Sequence, residues 1–354
     1  MKAAPGISLI VAFLLASLSA HAGESGGASI TRPERSGPDC DRLAGHPDDP
    51  DLHGAGVIFE SIDVTAAEPA CRAAHDERPD ERRYLFELGR VLRKKGAFAA
   101  AIPLYRQAVD KGSTAALLGL GLMYENGDEG VELDYEKAAS LYRQAIDGGS
   151  TMAFGYLADL YNQGNLGDPD PAKAIELYRK GADAGDDSAL NSLGVLYQWG
   201  RGVPKDAKEA EALFRRAMAS SHADVAAEAK HALAWLWMKT GVNIADAGKL
   251  AAEAVAEARA DDPGTKGRYR DGLAWAKHLA HADAEAVVEE QAAIDSDPEN
   301  PTYRDRLGDI FAALGENAKA KAAWQKALSL PAPSRIDEPD WDPLTIRKKI
   351  GTDL

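Results

Sequence analysis

Residues 193–217 read "LGVLYQWGRGVPKDAKEAEALFRRA". Small and apolar residues recur at three- and four-residue spacing on either side of Gly200 and Gly202, the period of an amphipathic helix. The two glycines mark a turn, where a residue tolerant of positive φ is needed. The second run ends on Phe214 and Ala217. The stretch shows no nucleophile, acid or set of metal ligands. It reads as a pair of helices, and one such pair cannot bury its own apolar face.

The chain repeats the pattern. Tyr105, Tyr142, Tyr178 and Phe214 stand 37, 36 and 36 residues apart, and Leu88-Gly89, Leu120-Gly121, Leu157-Ala158 and Leu193-Gly194 recur at 32, 37 and 36. Gly96, Gly127, Gly164 and Gly200 fall at the turn of each unit. Three marker classes on one period predict stacked helical hairpins with a continuous core and a concave side.

Residues 189–217 resemble a Sel1-like repeat, the longer relative of the tetratricopeptide repeat (TPR), with its "LGxLYxxGxGVxxDxxxA" skeleton almost complete. Residues 116–149 and 152–185 are similar to it, the latter with Ala158 in place of the usual glycine, while 82–109 and 302–331 are closer to a plain TPR unit. Two degenerate units stand between them, separated by "ARADDPGTKGRYR" (258–270), which reads as an extended connection. The resemblance implies an all-α fold: an α/α superhelical solenoid of Sel1-like and TPR hairpins. Repeats are expected over 81–221, degenerate TPR-like repeats over 222–331, and a tail with a capping helix over 332–354.

The 354 residues are 45% apolar, enough for a substantial core, and carry a net charge of -15, which disfavours nucleic acid as a partner. The opening "MKAAPGISLIVAFLLASLSAHAG" has Lys2, an apolar run from Ile7 to Leu18 and the triplet Ala20-His21-Ala22. It reads as a signal peptide (1–22) cleaved after Ala22, followed by a leader (23–39). No segment is apolar enough for stable membrane insertion, and no cysteine follows closely enough to be lipidated. The expected location is periplasmic or secreted. In an oxidising compartment the only two cysteines, Cys40 and Cys71, are expected to pair and to tie an extended arm onto the first helix, forming an N-terminal cap over 40–80.

Catalytic signatures are absent: there is no zincin pattern, no Gly-x-Ser-x-Gly elbow, no phosphate-cradling loop with lysine, and no serine followed three residues later by lysine. His278 and His281, with Asp283, could offer two metal ligands, but His281 falls at a turn, so solvated or capping roles are expected. The acidic loop 125–134 lacks the order of a calcium site. No cofactor, metal or catalytic residue is predicted. The alternative, a cell-wall or β-lactam-acting hydrolase, rests on resemblance to cysteine-rich Sel1-like proteins, whose paired cysteines in each repeat this chain lacks.

In TPR relatives the first helix of each unit lines the groove, with positions one, four and five past the Leu-Gly pair pointing inward. That frame presents Arg90, Arg93 and Lys94, then Glu125 and Asn126, then Asp159, Asn162 and Gln163, then Gln198 and Trp199, with Trp235 and Trp275 in the weaker units. An amide ladder of Asn126, Asn162, Gln163, Asn191 and Gln198, anchored by Trp199, suits a protein or peptide ligand. The basic cluster Arg90, Arg93 and Lys94 is expected to receive an acidic segment.

Overall fold

A computed structural model describes residues 37–47, 49–52, 56–259, 262–333 and 341–351, all within the second of the chain's two units, Ser36–Leu354. The signal peptide and most of the leader lie outside the described residues. Every described element is helical. After α1 (Gly37–Ala44) and α2 (Val64–Glu77) come seven hairpins: α3 (Arg82–Lys94) with α4 (Phe98–Asp110), α5 (Thr114–Asn126) with α6 (Tyr135–Asp147), α7 (Met152–Gln163) with α8 (Pro171–Asp183), α9 (Asp187–Trp199) with α10 (Ala207–Ala217), α11 (Ala223–Thr240) with α12 (Ile244–Glu257), α13 (Pro263–Leu279) with α14 (Asp283–Ser296), and α15 (Pro301–Ala313) with α16 (Asn317–Ser329). A short helix, α17 (Pro343–Ile350), packs on α16.

The repeated residues account for the repeated geometry. The aromatic of the second helix in each of the first four hairpins lies fully buried: Tyr105, Tyr142, Tyr178 and Phe214. Glycine makes room for it. A Cβ at Gly121 would overlap the Tyr142 ring, one at Gly194 the Phe214 ring, and one at Gly308 the Trp324 ring. Asp134, Asp170 and Asp206 each accept from backbone N–H groups at the start of α6, α8 and α10, the capping that satisfies otherwise orphaned donors. Left-handed glycines at 127, 164 and 200 close α5, α7 and α9. A second ladder joins neighbours: Arg143 donates to the Tyr161 hydroxyl (2.9 Å) and Arg179 to Tyr197 (2.7 Å).

First helices touch one another from hairpin to hairpin, α3 with α5, α7 with α9, α9 with α11, α11 with α13 and α13 with α15. No two second helices among the described residues meet to that extent, so the stack curves with the first helices on its inner side.

Two expectations are corrected. Cys40 lies on a helix, α1, not on an extended arm; Cys40 and Ala44 are four residues apart and share one buried face, the spacing that lets a short helix pack. The disulfide to Cys71 therefore joins α1 to α2. The supposed extended connection at 258–270 is mostly helix, because Asp262 accepts from the Thr265 N–H and Pro263 starts α13, a helix beginning that proline favours.

Candidate binding groove

The inner helices line two cavities. The first, of about 350 Å³, is walled by α7, α9, α11, α13 and α15 and includes Asn162, Gln163, Gln198, Trp199 and Trp235. With Asp159, six residues from the sequence frame therefore converge. Ser192, Glu228, His231, Arg268, Asp271 and Arg306 join them. The frame missed Ser192 and Arg306 because each stands one residue before an intact Leu-Gly pair, a position the frame does not count, and the others because the units of α11 and α13 lack that pair, with α11 running 18 residues against 13 in α9.

Most charge on this wall is internally matched. Glu228 accepts two hydrogen bonds from Arg268 (2.7 and 2.6 Å) and one from the Tyr269 hydroxyl (3.0 Å). Burial would raise its pKa, but the Arg268 charge wins and holds it at about 2. Arg306 pairs with the buried Asp271 and covers the Trp235 ring at 4.4 Å. His231, 5% exposed, lies against Tyr269 and Trp235. Burial, reinforced by Arg268, pushes its pKa down to about 3, so the imidazole is neutral. Asp159 differs: burial raises its carboxyl to about 6, against the Tyr178 hydroxyl that donates to it at 2.5 Å, and the nearby acids Glu125 and Asp186 add to the rise.

The second cavity, of about 730 Å³, lies between α3, α5 and α7 and the chain's own segment between α1 and α2; its walls include His46, Ile58, Phe59, Arg90, Arg93 and Asn126. That segment is held by its backbone. Arg90, 2% exposed, donates to the carbonyls of Ala44 and Val57, and Lys94 donates to that of Glu60. Arg93 pairs with Asp128 at 2.8 Å. The expectation that this basic cluster receives an acidic partner segment is revised, since the protein's own chain engages all three residues. The Glu60 side chain in turn meets Arg259, beyond α12, at 3.3 Å. The segment is thus a strap between the two halves of the stack.

Two further residues expected in the groove stand elsewhere. Asn191 is buried and donates to the Val225 carbonyl at 3.0 Å, bracing α9 against α11. Trp275 packs on His278, which bonds Asp283 at 2.6 Å. His281 takes a left-handed turn conformation, φ 61°. Among the described residues the one trio of ligand atoms close enough to share an ion is Cys40, Cys71 and Glu87, and its two sulfurs are already joined. No described helix is long and apolar enough to cross a membrane.

Sel1 repeats match residues 114–150, 156–186 and 187–222, and a tetratricopeptide repeat matches 83–110. A search of curated proteins finds no match. Similar solved structures include c5321, a protective antigen of uropathogenic Escherichia coli with an SLR fold (TM-score 0.59, 21% identity, 81% of this chain and 59% of that one). A Sel1 repeat protein of Oxalobacter formigenes gives TM-score 0.54 at 23% identity over 69% of this chain and 99% of that one. The Cut9–Hcn1 hetero-tetramer of the APC/C gives 0.61 at 10% identity, over 81% of this chain and 52% of that one. The chain thus spans little more than half the length of the antigen, and these likenesses describe its fold.

Proposed function

We propose that this chain, a solenoid of tetratricopeptide and Sel1 repeats, is an exported non-catalytic scaffold that holds a partner polypeptide along the inner helices α7 to α15. One observation carries the reading: the groove already holds polypeptide. Arg90 and Lys94, one and five residues past Leu88-Gly89, donate to backbone carbonyls of the strap. The same frame positions in later hairpins, Gln163 and Trp199 with Asn162 and Gln198 beside them, line a cavity. Side-chain amides can both donate to and accept from a peptide backbone, and tryptophan supplies area with little entropy cost. Export is supported by the signal-like first 22 residues and by the buried disulfide; such a scaffold would act on envelope sensors or assemblies.

The test is affinity capture from an envelope extract with the native chain and with the Asn162→Ala/Trp199→Ala double variant. A polypeptide retained by the native chain and released at least tenfold more readily by the double variant supports the groove. Equal retention by both removes it.

A further inference from the structure

We propose that the cavity between α7 and α15 takes a cationic side chain of the partner, an arginine or lysine, with the Asp159 carboxylate as its counter-charge. This rests on the groove reading above and names what the groove selects.

Three observations converge on it. The other carboxylates of this cavity already have cations: Glu228 has Arg268, and Asp271 has Arg306. Asp159 has none among the described residues; its hydrogen-bond partner is the Tyr178 hydroxyl. The charged groups whose fields reach it are Glu125, on α5, and Asp186, before α9, both acidic, and Tyr156 on its own helix is neutral. Arg201 and Lys239 also line the cavity, with Lys239 over the Trp199 ring at 5.5 Å.

Second, Gln198 lines the same cavity and is 6% exposed. Its amide carbonyl is an acceptor that suits a donor-rich group in the cavity that Asp159 also lines. A guanidinium brings five N–H donors in one plane, an ammonium three. Third, about 350 Å³ accommodates one long side chain with part of its backbone.

Burial keeps the Asp159 carboxyl easily protonated, with a pKa of about 6, so the cation site is charged above that pH and neutral below it. A cation that stabilises the ionised form should be bound more tightly as pH rises through 6 and should lower the pKa of Asp159 when bound.

The experiment titrates the full chain with acetyl-Ala-Ala-Arg-Ala-Ala-amide and with its neutral citrulline counterpart, following tryptophan fluorescence and the side-chain NMR signals of Trp199 and Gln198. At pH 7.5 the arginine peptide is expected to bind at least tenfold more tightly. That preference should shrink severalfold at pH 5, and should vanish in Asp159→Asn. Tyr178→Phe, which leaves the carboxylate in place, should retain it, and circular dichroism of both variants checks the fold. Equal binding of the two peptides, binding of neither, or a preference that survives Asp159→Asn overturns the proposal. If a polypeptide is captured through Asn162 and Trp199 while the two probes bind alike, the cation site fails and the groove stands; capture indifferent to Asn162 and Trp199 removes the groove itself.

Discussion

At the scale of single residues, the period of the chain is a packing contact. Gly121 is glycine because the Tyr142 ring lies against its backbone, and interiors this dense have no slack for a methyl group. Gly121→Ala is expected to cost about 1–3 kcal/mol, read as a lower urea midpoint with an unchanged m-value. Glu87 is a different kind of residue. It is fully buried beside the disulfide, and burial, with the negative field of Asp41, pushes its pKa up to about 9. Its folded value exceeds its unfolded one, so its contribution to stability is present at low pH and lost as pH rises from about 4.5 towards 9. Glu87→Gln should flatten that slope, of about 1.4 kcal/mol per pH unit at most, and should stabilise the chain at pH 8, as thermal melts at pH 5 and 8 would show.

At the scale of elements, the N-terminal end is sealed by α1, α2 and the strap between them. The 31-residue separation of Cys40 and Cys71 implies roughly 3 to 4 kcal/mol from restricting the unfolded chain. Reduction, or the Cys40→Ser/Cys71→Ser pair, is expected to lower stability by that order; an unchanged melting temperature would contradict it. The second helices α6, α8 and α10 begin on aspartate caps, and Asp206 accepts from both Lys208 and Glu209 N–H groups. Asp206→Ala should cost about 1 kcal/mol, whereas Asp206→Asn or Asp206→Ser should cost little, a contrast that chemical denaturation resolves.

At the scale of the whole described unit, stability follows from neighbours. Each hairpin packs on the next, so its energetics approximate a sum of repeat and interface terms. The strap is the exception, since Glu60 and Arg259 meet across 199 residues of chain. Arg90→Ala is expected to free the strap by removing its two carbonyl contacts. Limited proteolysis should then cut between His46 and Glu60 several times faster, while α5 to α16 keep their hydrogen-exchange protection. Uniform loss of protection would show instead that Arg90 supports the entire stack.

The sequence by itself determined the hairpins, their number over 82–217, the left-handed glycines and the cysteine pair, because each is set by local backbone chemistry or by a contact between residues at a fixed separation. Part of the groove was legible for the same reason: Asn162, Gln163, Gln198, Trp199 and Trp235 follow from one helical frame and do converge. Only the tertiary structure decided which groove residues remain available. Arg90, Arg93 and Lys94 look like ligand-binding cations in one dimension, yet a segment 30 to 50 residues upstream folds back onto Arg90 and Lys94 while Arg93 finds Asp128. That Asp159 has no cation beside it among the described residues was decided only by the tertiary structure, and no pattern along a chain records the distance between side chains that never meet.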